Sequence, residues 1–181
     1  LACGANSQLK WFKNEFYSIG VDIFEPSIQK SKELAIHNEY IMIDVSEIRN
    51  KFNENSFDCV LALDLIEHLD KEQGFKLLKD MEGIASKKTI IFTPNGYLPQ
   101  GEIAGNPWHK HKSGWTVKDM QKNGYKVIGI GGWKFLRKET GLMKYRPHIF
   151  WKIISDISQF FVRNHPKFAF QLLCVKYIKD M

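Results

Sequence analysis

Apolar positions along the first half of the chain alternate between a helical and a strand period. Residues 7–16 (SQLKWFKNEF) predict a helix that starts at Ser7, a good N-cap. Residues 17–24 (YSIGVDIF) are β-branched and aromatic and predict a strand. Pro26 then sits just inside a helix over 26–37, where its missing N–H costs nothing. Residues 39–43 (EYIMI) give the next strand, ending at Asp44, and 57–63 (FDCVLAL) are a nearly continuous apolar run, as in a strand covered on both faces. A helix over roughly 70–85 carries Phe75, Leu77, Leu78, Met81 and Ile84. Residues 88–93 (KTIIFT) make another buried strand, stopped by Pro94.

Such alternation implies a parallel sheet with helices on both faces, which binds ligands outside the carboxyl ends of its strands. The places to look are therefore residues 2–6, 22–25, 44–46, 63–68 and 93–97. The second half reads differently. A loop over 94–113, rich in Gly, Pro, Asn and His, has the length of a lid or binding loop. A helix at 115–123, a strand at 125–131, a helix at 147–163 and a strand at 168–178 follow. The last two strands are expected to pair and close the sheet with an antiparallel edge.

Composition narrows the class. The chain has 181 residues, 44% hydrophobic and 25% charged, which fits one globular α/β domain and neither a disordered tail nor a fibre. No apolar run reaches the ~18 residues of a membrane span, and no internal repeat is seen. The three cysteines (Cys3, Cys59, Cys174) lie far apart, so reduced thiols in a cytosolic protein are expected. Charge is uneven: residues 1–100 hold 11 Lys+Arg against 15 Asp+Glu, whereas residues 101–181 hold 15 against 5. The basic half either faces an anionic partner or only keeps the protein in solution.

Candidate chemistry begins at Cys3-Gly4-Ala5-Asn6, placed between a strand end and a helix. A glycine there lets backbone approach a ligand closely. Asp22 follows 18 residues after Gly4, at the end of the next strand, where a carboxylate can accept from both hydroxyls of a ribose. Asp44 ends the third strand and could accept from an adenine amino group, or merely cap a turn. A dinucleotide would need G-x-G-x-x-G for its pyrophosphate, and residues 2–7 offer one glycine.

In these residues the sequence resembles class I S-adenosylmethionine-dependent methyltransferases. L-A-C-G-A-N-S is similar to their glycine-rich first motif, G-V-D-I at 20–23 to their acidic second strand end, and F-D-C-V-L-A-L-D-L-I-E-H-L at 57–69 to their fourth strand and its turn. The family usually has glycine where Ala2 and Asn6 stand; Asn tolerates left-handed backbone, and Ala2 adds only a methyl. The resemblance implies a three-layer Rossmann-like sandwich with a mostly parallel seven-stranded sheet. It places the methionine part of S-adenosyl-L-methionine near Ala2, Cys3, Gly4 and Ala5, ribose at Asp22, adenine near Ile23, Asp44 and Val45, and the sulfonium side near Leu63 and Asp64. In that order the first strand lies between the second and the fourth. Because the chain opens at Leu1, inside the first motif, further N-terminal sequence carrying that strand is expected.

Methyl transfer from a sulfonium is an in-line displacement that needs alignment, and a base helps when the acceptor is a hydroxyl or an acid. His68 follows the fourth strand, and His109 and His111 lie in N-P-W-H-K-H-K-S-G-W; His68 and His111 are the catalytic candidates. Tyr97, Trp108 and Trp115 are candidates to wall an acceptor pocket. The H-x-H at 109–111 beside Glu67 and His68 suggests a metal site, but no third and fourth ligands at supportive spacing appear, so no metal is expected. After the fourth strand stands L-D-L-I-E-H rather than the Asn/Asp-Pro-Pro-aromatic tetrapeptide of nucleobase amine methyltransferases, which argues against a nucleic-acid acceptor.

Between 147 and 163, Phe150, Ile153, Ile154, Ile157, Phe160 and Phe161 form one apolar stripe, flanked by Trp151, Lys152 and Arg163. The stripe fits peripheral membrane contact, packing on the sheet, or a second subunit. The resulting expectation is one domain over 1–181, with a cofactor-binding half at 1–93 and an acceptor-binding half at 94–181. It would methylate a small-molecule or lipid-linked acceptor in the cytoplasm. RNA or protein methylation, or cofactor binding without turnover, are the alternatives.

Overall fold

Residue 57 opens the strand that anchors the molecule. In the computed structural model, which describes residues 1–12, 15–102 and 106–178, the first strand β1 (Ile19–Asp22) pairs in parallel with β2 (Glu39–Met42). Helix α1 (Glu25–Glu33), with Pro26 in its first turn, crosses between them. It ends earlier than the apolar pattern predicts because Ala35 takes a left-handed φ of 48° and turns Ile36 into the core. The short α2 (Ile48–Lys51) precedes β3 (Phe57–Leu63). Helix α3 (Lys71–Ile84), held at its start by a capping box between Asp70 and Gln73, carries the chain to β4 (Ala85–Pro94), parallel to β3. After the long loop come α4 (Val117–Lys122), β5 (Lys126–Trp133), α5 (His148–Asn164) and β6 (Ala169–Tyr177).

The strand order β3-β4-β6-β5 departs from expectation in one respect. The antiparallel strand is not the edge. β6 lies between β4 and β5 and is antiparallel to both, which leaves β5 outermost. Residue chemistry accounts for this. β6 buries Leu172 and Cys174 and suits an interior place, whereas β5 carries Gly129, which lets α5 come close at the edge. A Cβ at Gly129 would stand 2.1 Å from the Val162 carbonyl oxygen of α5.

A single seven-stranded sheet is likewise not what the described residues form. They give six strands, two in one sheet and four in the other. Among the described residues, 1–3 are the ones that bridge β1 and β3. The Leu1 nitrogen donates to the Leu61 carbonyl at 2.6 Å, and the Cys3 N–H donates to the Val21 carbonyl at 2.9 Å. Two hydrogen bonds, one to each side, are too few to make a ladder.

The helix expected over 7–16 is a 3-10 turn at Gln8–Phe12 that buries no side chain, and Lys13 and Asn14 lie outside the described residues. Leu9 is half-buried at the cleft, and Trp11 and Phe12 stay exposed. The core instead gathers Ile48 of α2, Leu77, Leu78, Met81 and Ile84 of α3 and Met120 of α4 against Val60, Ala62, Ile91, Leu172 and Cys174 of the four-stranded sheet. Truncating such a side chain to alanine costs about 2–5 kcal/mol. Cys3, Cys59 and Cys174 form no disulfide.

Candidate active site

The carboxyl ends of β1, β3 and β4 open on one cleft. At its floor the backbone turns left-handed twice, at Ala2 (φ 46°) and Gly4 (φ 61°). A Cβ at Gly4 would meet nothing within 4 Å, so this turn borders open space. Asp22 ties the turn to β1. Its buried carboxylate accepts the Gly4 N–H at 2.8 Å through Oδ2 and the Phe24 N–H at 2.9 Å through Oδ1. Each oxygen keeps a lone pair for a further donor. Asp44 is engaged as the cap of the turn after β2, accepting the Ser46 N–H at 2.8 Å.

The other wall follows β3. Leu63 ends the strand and Asp64 takes a left-handed φ of 49°. Burial pushes the Asp64 carboxyl up to about 6. A single 3-10 turn, Ile66–His68, then sets Glu67 inward. Glu67 is 2% exposed, and its Oε2 accepts the Thr93 hydroxyl at 2.9 Å. Burial pushes it up to about 8 and holds the neighbouring His68 imidazole down at about 4.

The loop after β4 is fastened to this turn by backbone. The Lys112 and Ser113 N–H groups both donate to the Glu67 carbonyl, at 2.8 and 3.0 Å. The Ser113 hydroxyl and the Trp115 indole N–H both donate to the Ile66 carbonyl, at 3.2 and 3.0 Å. This stem brings His111 to His68, with ring centroids 4.8 Å apart, and His109 to 6.1 Å from His68. His111 Nδ1 lies 2.7 Å from the Leu98 carbonyl and His68 Nδ1 lies 3.3 Å from the Lys110 carbonyl. A carbonyl only accepts, so both imidazoles donate from Nδ1.

Of the residues expected from the sequence, Ala2, Cys3, Gly4, Asp22, Ile23, Asp44, Val45, Leu63, Asp64, His68 and His111 line this one cleft. Ala5 does not; the turn meets the cleft through Gly4 and Asn6. The loop over 94–113 lines it too, through Leu98, Gln100, Trp108, His109 and His111, with residues 103–105 outside the description. Trp115 is no pocket wall: it is fully buried against Phe75 and Ile66. One grouping that the sequence reading set aside is present, and one feature was not foreseen. Glu67, His68 and His111 bring metal-ligating atoms within 4.8 Å of one another, although spacing argued against a metal. Arg137 and Glu139–Gly141 form the far end of the cleft. Glu67 beside His68, directly after a buried strand, was the readable signal.

A left-handed glycine turn pinned by a strand-end carboxylate borders open space at the carboxyl end of a parallel α/β sheet. The chain belongs to the methyltransferase domain family, whose sequence profile matches residues 1–92. Solved structures share the fold. A SAM-dependent methyltransferase from Archaeoglobus fulgidus is similar at a TM-score of 0.61 and 18% identity, over 97% of this chain and 83% of that one. The small RNA methyltransferase HEN1 is similar at 0.59 and 17%, over 99% and 23%. The magnesium protoporphyrin IX methyltransferase of Synechocystis PCC 6803, with bound SAH, is similar at 0.55 and 13%, over 98% and 72%. No curated protein matches the chain significantly. The cofactor is S-adenosylmethionine, and the cleft fits it: Gly4 leaves room for a ligand and Asp22 keeps acceptor capacity beneath that room. When bound, the cofactor supplies an electrophilic methyl group on sulfur.

Proposed function

We propose that this methyltransferase acts on a small amphiphilic or lipid-linked acceptor and works peripherally at a membrane surface. Asp22 holds the ribose, the turn at Ala2, Cys3 and Gly4 (and Ala5 behind it) borders the methionine part, Ile23, Asp44 and Val45 surround the adenine, and Leu63 and Asp64 flank the sulfonium. His68 and His111 serve the acceptor end through Nε2, as acceptors for its proton. Residues 1–93 thus serve the donor and 94–181 the acceptor.

The observation that carries the acceptor class is the orientation of α5. Among its residues only Ser155 and Val162 are buried, and its apolar stripe is turned outward: Phe160 is 84% exposed, Ile149 78% and Ile157 64%. Exposing that much contiguous apolar surface calls for a covering phase or partner. The buried face of the same helix is tied to the cleft. Arg137, at the far end of the cleft, donates to the Ser155 hydroxyl of α5 at 3.3 Å. Trp133, Phe135, Tyr145 and Trp151 follow one another in ring contact beside it, with the Lys144 ammonium over both Phe135 and Tyr145. Aromatic rings with basic residues around an apolar helix face are the make-up of an interfacial surface. Among the described residues no helix is long and apolar enough to cross a membrane.

Co-sedimentation with vesicles of phosphatidylcholine and phosphatidylglycerol tests this. The protein should pellet with vesicles, and the pair I153D/I157D should remain in the supernatant with its donor affinity intact. A soluble dimer that buries α5 and ignores vesicles would overturn the reading. The excess of basic residues in the second half favours RNA as the alternative acceptor. In that case RNA binding would weaken steeply with salt, because phosphate contacts release counterions.

A further inference from the structure

We infer that Glu67, His68 and His111 form a binding site for one divalent transition-metal cation at the acceptor end of the cleft. Two imidazole nitrogens and one carboxylate oxygen make a donor set suited to zinc, cobalt, manganese or iron, and three protein ligands leave coordination positions open. The three donor atoms lie within 4.8 Å of one another, with Glu67 and His111 buried and His68 half-buried. Each is already aimed. His111 donates from Nδ1 to the Leu98 carbonyl and His68 from Nδ1 to the Lys110 carbonyl, which turns both Nε2 atoms away from those carbonyls. Glu67 is held through Oε2 by the Thr93 hydroxyl. Outer partners of this kind, a backbone carbonyl on each histidine and a hydroxyl on the carboxylate, are what orient metal ligands.

A fourth donor stands nearby. The Nδ1 of His109 is buried and has no hydrogen-bond partner among the described residues, and its ring lies 6.1 Å from that of His68. Bonds of about 2.0–2.1 Å to a tetrahedral ion set donor atoms about 3.3 Å apart, so the cluster must contract on binding. His68 is free to supply that movement, being only half-buried and held by a 3.3 Å contact. The inference builds on the acceptor-end assignment of these residues. It changes the two histidines from proton acceptors into ligands, with the cation acting as a Lewis acid toward an acceptor oxygen.

The test uses the full chain without a polyhistidine tag, stripped with EDTA and titrated with Co²⁺ and with Zn²⁺ by calorimetry and visible absorption. One equivalent should bind with visible cobalt bands and no sulfur-to-cobalt charge-transfer band, since Cys3 and Cys59 also line the cleft. H68N, H111N and E67Q keep a group able to make the outer hydrogen bond and should each weaken binding at least tenfold. In the wild-type chain, where folding is not at issue, Co²⁺ should slow diethyl pyrocarbonate modification of His68 and His111. Absence of binding, a thiolate band, or affinity unchanged in all three variants would overturn the site. Binding of S-adenosylmethionine is measured on the same stripped protein, so loss of the donor site is told apart from absence of the metal site.

Discussion

Asp22 Oδ2 accepts the Gly4 N–H at 2.8 Å, so the strand-end carboxylate and the glycine turn form one unit. D22A should therefore act twice. It should weaken S-adenosylmethionine by about 1.5–3 kcal/mol, the worth of hydrogen bonds to a charged group, and it should also lower the melting temperature of the ligand-free protein. Calorimetric titration and thermal melting read the two effects. Unchanged donor affinity would remove the ribose assignment.

Gly4 and Gly129 separate site from scaffold. Gly4 has a left-handed φ of 61° and an open Cβ direction, so G4A should cost about 1–2 kcal/mol of stability and narrow the donor cleft. At Gly129 the added Cβ would collide with Val162 and Ala169. G129A should cost about 3 kcal/mol and leave the donor affinity of the folded fraction unchanged. Urea unfolding, together with donor titration, checks the contrast.

The start of α4 gives a pH signature. Burial of the Asp119 carboxyl works upward, but the Thr116 hydroxyl and N–H and the Lys71 ammonium outweigh it and hold it below its ordinary value. The unfolded chain then binds more protons than the folded one in acid, so this contribution is complete above the unfolded value near ~3.9 and fades as pH falls through the folded one. D119N should destabilise by about 1 kcal/mol at pH 7 and match the wild type at low pH. Urea midpoints across the acid range measure the convergence; a difference that persisted at low pH would contradict it.

Trp115 joins the loop stem to the turn after β3. W115F deletes the indole N–H that donates to the Ile66 carbonyl and the Ser113 hydroxyl, each at 3.0 Å. A loss of about 1–3 kcal/mol is expected in urea unfolding. If stability is unchanged, the stem is held by its backbone bonds alone.

What could be read from the sequence depended on how far each signal was local. The run 57–63 gives β3 at its exact bounds, because a strand covered on both faces declares itself in consecutive apolar residues. The apolar spacing at 7–16 misled, since a helical pattern states a preference and not whether a surface waits to cover it. That Gly4, Asp22, Asp44 and Leu63 line one cleft was legible because they sit at strand ends in chain order. The convergence of Glu67 with His111 was not, because the loop is brought there by bonds to main-chain carbonyls, which carry no sequence signature. The orientation of α5 was open for a related reason. It is decided by Gly129 and Ser155 at its contact with β5, and not by the stripe itself.

The fastening of the histidine loop bears on how acceptor choice can diversify. Its stem rests on the carbonyls of Ile66 and Glu67, groups that any residue supplies, and on Ser113 and Trp115 at its downstream end. Of the described residues between Leu98 and His109, Pro99, Gln100, Asn106 and Trp108 line the cleft, and Gln100 is bonded to His109 and His111. On the proposed function, side chains such as that of Trp108 can be exchanged for new acceptors, because the bonds that hold the stem run through main-chain carbonyls and stay in register.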